Sequence, residues 1–234
     1  MHWGPPPQAL ARAASMLADP SVSSYGPDEG LPALRQALVA KVAAENGLPG
    51  HDVHVTAGAN QAFASVVLAL LDPGDASVLF APYYFNHHMA LQMTGCGGEI
   101  LYGPCHPDTF HPDLDWLATT LRGPRPPKLV VICNPCNPTG ALLSADEVRR
   151  AADLCAAAGS WLVLDSTCVR RGGDAPLRQT AAAPRELSVY RDVRLALMLT
   201  VAAGTSTSAT AAGRTTALPA PTWCTCSPFQ RPTA

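Results

Sequence analysis

The chain has 234 residues and 24.4 kDa, with 16 basic against 18 acidic side chains and a formal charge of −2. That length can bury one sizeable core, while the balanced charge argues against a protein that tracks nucleic-acid phosphates. No run of about 18 apolar residues offers a membrane span, and eight cysteines behind a start without signal-peptide grammar read as thiols of a cytoplasmic protein.

In chain order, residues 32–44 place Leu34, Leu38 and Val42 at four-residue intervals, which predicts an amphipathic helix opening at a proline. Residues 53–55 read as a short strand ending at Thr56-Ala57-Gly58, and 60–71 as a largely buried helix. A strand over 77–81 and a helix over 85–93 follow, then strands at 99–101 and 128–133. Ser144 with Glu147 forms a capping box for a helix running to about residue 158. Residues 161–165 are an apolar strand that ends in a carboxylate. Strands alternating with helices predict an α/β fold, three layers with a mostly parallel sheet.

Beyond residue 168 the chain changes character. Residues 1–168 carry 8 basic and 15 acidic side chains, whereas 169–234 carry 8 arginines and three acids, Asp174, Glu186 and Asp192. Half of the tail's 66 positions are Ala, Thr, Ser or Pro, with no sustained period. Such composition buries too little apolar surface to offset ordering entropy, so most of the tail is expected to be disordered. Residues 189–201 are the exception and read as a helix or a strand.

In open α/β sheets the binding sites gather at the carboxyl ends of strands. Gly58-Ala59-Asn60 leads straight into a helix, where small residues let backbone N–H groups approach a phosphate. Pro82-Tyr83-Tyr84 puts rings at the mouth, either stacking on a planar heterocycle or merely capping the core. Residues 134–140, Asn-Pro-Cys-Asn-Pro-Thr-Gly, force an extended, turning loop that can aim an amide at a ligand. Asp165 either caps the next element or meets a cation.

These residues, with Tyr25-Gly26-Pro27-Asp28-Glu29-Gly30, Leu34-Arg35, Gln61-Ala62 and Asp72-Pro73-Gly74-Asp75, resemble the fold-type I, pyridoxal-phosphate-dependent aminotransferases of class I/II from about residue 2 to 167. The stretches PYYFNHHMALQMTG and SSYGPDEGLPALRQAL look most like a plant and algal subgroup acting on methionine and aromatic amino acids. The resemblance implies amino-group transfer between an amino acid and a 2-oxo acid, with pyridoxal 5′-phosphate as cofactor, and a homodimer in intact relatives. It implies that Asp165 pairs with the pyridinium nitrogen, Asn137 with the phenolate oxygen, and Tyr84 stacks on the ring. Ala59 and Asn60 would offer N–H groups to the phosphate, and Tyr25 would reach the neighbouring subunit's phosphate. No nucleic acid or membrane enters this reading, and no metal is implied.

Against that pattern, two departures stand out. The family's tyrosine three residues after the aspartate is Cys168, and its Schiff-base lysine has no counterpart. The sole lysines, Lys41 and Lys128, fall on an early helix and at a strand end remote from the site. Arg214 and Arg231 lie without family context, so the carboxylate-clamping arginine is not identified. The expected organisation is an N-terminal arm remnant over 1–30, an incomplete cofactor-binding large domain over 31–168, and the tail over 169–234. A truncated or frameshifted product follows, without its last strands and small domain, and with strand 53–55 left unpartnered at an exposed edge. Its alternatives are a lyase of the same fold, a non-catalytic chain that binds cofactor or pairs with a full-length subunit, and a gene-model product without a stable fold. Cys133-x-x-Cys136 lacks a second zinc-type pair, and His87-His88 read as solvated or packing residues.

Overall fold

A computed structural model describes residues 5, 7–46, 48–95 and 98–167, together with the backbone of two strands at 195–201 and 224–229. Cys168, Arg170, Arg171, Arg214, Arg231 and most of the tail expected to be disordered lie outside the described residues.

The elements are α1 (Pro7–Met16), a short 3-10 turn (Pro20–Ser23), α2 (Pro32–Asn46), β1 (Asp52–Thr56), α3 (Ala59–Leu70), β2 (Ser77–Phe80) and α4 (Phe85–Met93). After these come β3 (Ile100–Gly103), α5 (Leu114–Leu121), β4 (Leu129–Cys133), α6 (Ala145–Ala158), β5 (Trp161–Asp165), β6 (Leu195–Val201) and β7 (Cys224–Phe229). One sheet holds all seven strands in the order β1-β7-β6-β5-β4-β2-β3. β3, β2, β4, β5 and β6 run parallel, and β7 is antiparallel to both its neighbours.

The alternating side chains of the strands build the three layers. Val78, Phe80, Val130, Ile132, Leu162 and Leu164 join a cluster with Leu114, Leu117 and Leu121 of α5 and Val148, Ala151 and Ala152 of α6. Their neighbours Leu79, Leu129, Val131, Trp161 and Val163 face the other way, onto Phe63, Val66 and Val67 of α3 and Leu91 of α4. A strand buried on both faces needs such an apolar run, and each fully buried side chain of this size stabilises by about 1.5–3 kcal/mol. Ser144 Oγ accepts from the Glu147 N–H, and the Glu147 carboxylate accepts from the Ser144 N–H at 2.7 Å, so α6 opens with the predicted capping box.

The expectation that strand 53–55 lacks a partner is overturned. β7 pairs with β1 from Asp52↔Phe229 to Thr56↔Thr225, and β6 lies beside β5. Two segments of the tail are therefore strands, and the sheet is continuous from β1 to β3. The physical reason is that β1 and β5 would each present a row of unpaired backbone groups, which any extended segment can satisfy regardless of its side chains. The β6–β7 pairing runs from Ala196↔Phe229 to Val201↔Cys224 and skips both Pro228 and Ser227, which pair with β1 instead.

β1 is also held from the N-terminal side. Val55 N–H donates to Glu29 O at 2.9 Å, and Arg35 Nε donates to Val53 O at 2.8 Å. The same guanidinium pairs with Glu29 at 3.2 Å and with Asp52. The Gly-Pro-Asp-Glu-Gly segment is thus tied to the sheet through Arg35.

Candidate active site

The site assembles where β1, β2, β4 and β5 end. Asp165 closes β5 and is almost wholly buried, because the strand leading to it is buried at every position. Its Oδ2 accepts from His87 Nε2 at 3.0 Å, and its Oδ1 accepts from Thr167 N–H at 2.9 Å. Burial pushes this carboxyl up, but the hydrogen bond and charge of His87, with the Thr167 contact, outweigh it and hold the group below the usual carboxylate range. Asp165 is therefore a buried anion at the carboxyl edge of the sheet.

Of the two expectations for His87, solvated or packing, the structure bears out packing and adds a hydrogen bond to Asp165. It is buried on α4, tilted against Phe63 at 4.4 Å and edge-on to Tyr84 at 5.4 Å. The residue type and the spacing Tyr84-x-x-His87, which puts both on one helical side, were the available signal. Its partner lies 78 residues away, so nothing local revealed the pair.

The two adjacent tyrosines diverge. Tyr83 stacks on His88 at 5.4 Å and on Tyr102 at 5.5 Å, toward the β3 edge of the sheet. Tyr84 caps α4, turns toward His87, and accepts from Asn86 Nδ2 at 2.8 Å through its hydroxyl.

Ala59 and Asn60 are the first residues of α3, which opens on Gly58 without a side-chain cap. Gly58 has φ +93°, which favours glycine, and nothing occupies the space where a Cβ would project. No side chain caps the first-turn N–H groups, which leaves them and the positive end of the helix dipole for an anion.

The Asn-Pro loop follows β4. Asn134 is buried and turned into the scaffold: its N–H donates to Asp165 O at 2.8 Å and its Oδ1 accepts from Leu143 N–H at 2.9 Å. Asn134 therefore fastens the loop instead of meeting a ligand. Asn137 stays half-buried, its backbone N–H donating to Cys133 Sγ at 3.4 Å. Gly140 N–H donates to Cys136 O at 2.7 Å, which folds the loop back on itself.

Tyr25 stands apart from these groups. It is fully exposed, in the segment before α2. Lys128 lies just before β4, at the end opposite Cys133, so about 17 Å of strand separates it from the site. It pairs with Asp75 at 2.6 Å and Asp72 at 3.3 Å, and these contacts, foremost the Asp75 hydrogen bond, raise its pKa against the effect of burial. Lys41 is on α2. Neither lysine is at the carboxyl ends of the strands.

The class I and II aminotransferases account for this arrangement. Residues 1–218 match the family described as aminotransferase class I and II, so the match continues past residue 167, where the resemblance was expected to end. The chain belongs to that family. It is 51% identical over 168 residues to the aromatic aminotransferase ISS1 of Arabidopsis thaliana, a span covering 71% of this chain and 42% of that protein. It is 34% identical over 165 residues to a probable N-succinyldiaminopimelate aminotransferase, DapC, of Mycobacterium tuberculosis, covering 68% and 40%. Among solved structures, an aspartate aminotransferase mutant of Thermus thermophilus superposes with a TM-score of 0.73 at 26% identity, over 85% of this chain and 52% of that one. An aminotransferase of Mycobacterium tuberculosis gives 0.70 at 28% identity, over 85% and 49%. The chain thus spans about two fifths of the length of these curated relatives.

Proposed function

We propose that this chain binds pyridoxal 5′-phosphate without covalent attachment and that, as it stands, it does not complete amino-group transfer. The observation that carries this reading is the buried Asp165–His87 pair at the carboxyl edge of the sheet, with no lysine beside it. In the family, the reaction is transfer of an amino group from an amino acid to a 2-oxo acid with this cofactor. The identity to an aromatic aminotransferase supports an aromatic amino acid as the ancestral donor.

When bound, the cofactor supplies an electron-withdrawing ring for a substrate's α-carbon. Asp165, kept anionic by His87, would accept a hydrogen bond from a protonated ring nitrogen. The Ala59 and Asn60 N–H groups at the start of α3 would hold the phosphate, Tyr84 would stack on the ring, and the Asn137 amide would donate to the phenolate oxygen. A proton-transfer group must lie within hydrogen-bond reach of the reacting carbon, and neither Lys41 nor Lys128 stands at the carboxyl ends of the strands. Tyr25, exposed on the surface, is suited to reach a second subunit's phosphate in a homodimer.

The test is titration of the purified full chain with pyridoxal phosphate, followed by borohydride reduction and digestion. The expected result is saturable, dialysable binding that weakens in Asp165→Asn and yields no pyridoxyl peptide. A pyridoxyl group fixed on Lys41 or Lys128 at stoichiometric yield, or turnover of an amino acid, would overturn the reading.

A further inference from the structure

A rigid ring held at its nitrogen by Asp165 and at its phenolic oxygen by Asn137 requires a set span between those two residues. Strand register places Cys133 where that span is fixed. Cys133 ends β4 and pairs with Asp165 at the end of β5. Leu129 and Val131 of β4 share a cluster with Trp161 and Val163 of β5, so alternation carries Cys133 and Asp165 onto that same face. Cys133 accordingly lines a small cavity together with Tyr84 and His87. Its Sγ accepts from the Asn137 N–H at 3.4 Å, and its S–H donates to Pro135 O at 3.4 Å. The next residue, Asn134, donates its N–H to Asp165 O at 2.8 Å. The base of the loop is thus pinned to Asp165, and the Cys133 side chain carries that anchor forward to Asn137.

We infer that Cys133 is a positioning residue, whose sulfur sets where Asn137 stands relative to Asp165. The inference rests on the reading above, in which those two residues meet one cofactor ring. The returning side of the loop has its own fastenings, since Cys136 N–H donates to Ala141 O at 2.8 Å and Leu143 N–H to Asn134 Oδ1 at 2.9 Å. These hold the loop's base, whereas the bond to Cys133 acts on Asn137 itself. Sulfur is a weak acceptor, yet a half-buried backbone N–H needs a partner, and without one residue 137 is free to turn toward water. Cys133→Val fills the strand position without an acceptor, and Cys133→Ser keeps an acceptor there. Packing alone would favour valine in a strand, whereas positioning favours serine.

The experiment titrates the full chain and its variants with pyridoxal 5′-phosphate and with 3-deoxypyridoxal 5′-phosphate, which lacks the phenolic oxygen. In Cys133→Val, binding of pyridoxal phosphate should weaken about three-fold while binding of the deoxy analogue stays unchanged. Cys133→Ser should stay near the unaltered chain, and adding Cys133→Val to Asn137→Ala should change nothing further. In the cofactor-free chain, exchange of the Asn137 amide hydrogen, followed by NMR, should quicken about three-fold in Cys133→Val and not in Cys133→Ser. Equal weakening for both ligands, undiminished pyridoxal phosphate binding in Cys133→Val, or one exchange rate in all three chains would overturn this inference alone. No saturable binding of either ligand by the unaltered chain would overturn the reading above and this inference with it.

Discussion

His87 Nε2 sits 3.0 Å from Asp165 Oδ2, and both side chains are nearly inaccessible to water, so the pair bonds helix α4 to the end of strand β5 from inside the molecule. An ionised carboxylate can only accept, which makes the imidazole Nε2 the donor. Removing one partner strands a buried polar group. His87→Leu should cost about 3 kcal/mol by urea denaturation, and Asp165→Asn somewhat less. Combining the two should cost clearly less than the sum, because the second change removes the group that the first left unpaired. Simple additivity would mean that the pair is not coupled.

Acid should act through the same carboxylate. Burial raises Asp165, the His87 bond lowers it further, and the folded value ends below the unfolded one. A group depressed on folding adds stability above its unfolded pKa of about 3.9 and loses it as pH falls through the folded value. Glu147 behaves alike, since the Ser144 and His111 hydrogen bonds outweigh its burial. Stability measured from pH 5 downward should therefore fall from about pH 4, and the slope should flatten in Asp165→Asn. An unchanged slope in that variant would assign the acid sensitivity to other groups.

Gly30 is predicted to tolerate no side chain. It has φ +109°, and an added Cβ would lie 2.6 Å from Val55 Cγ2 and 2.7 Å from Val55 Cβ. Gly30→Ala combines strained backbone with overpacking against β1, and should cost about 2 kcal/mol. Thermal melts of the variant check this, with Gly50→Ala as comparison: Gly50 shares a positive φ but has open space around it. Equal losses in the two variants would show that backbone strain alone matters.

Ending the chain at Val201 removes β7 and leaves β1 and β6 facing an empty position in the sheet. Two unpaired edges of that kind favour association with other chains. The shortened protein should lose its cooperative melt or run as higher oligomers in size-exclusion chromatography with light scattering. A monomer with an unchanged melting temperature would show that β7 does not contribute to the sheet.

How much of this was legible in the sequence depended on how local the cause was. The bounds of α4 and β5 agree with those read from hydrophobic pattern, and the Ser144–Glu147 capping box is as read. Each rests on residues within a turn or a strand of one another. Helix α5 went unread although its signals are local: Asp113 caps it by accepting from the Asp115 and Trp116 N–H groups, and Leu114, Leu117 and Leu121 share one buried side. The prolines on either side of it hid the period. Strand β7 could not be read at all, because Cys-Thr-Cys-Ser-Pro-Phe carries no strand pattern and its pairing comes from the edges that receive it.

By itself the sequence determined the family, the alternation of strands and helices, and which residues end each strand, since these follow from short-range periodicity and from motifs whose spacing survives in the chain. It also determined that only two lysines exist, and their places in the pattern already put them away from the carboxyl ends of the strands. Tertiary structure alone decided that His87 serves Asp165, that Asn134 faces inward while Asn137 stays half-open, and that Tyr83 and Tyr84 part company. Those outcomes turn on which buried donor meets which acceptor across dozens of residues. No local pattern encodes that choice, because the requirement to satisfy every buried polar group is met only once the layers have closed.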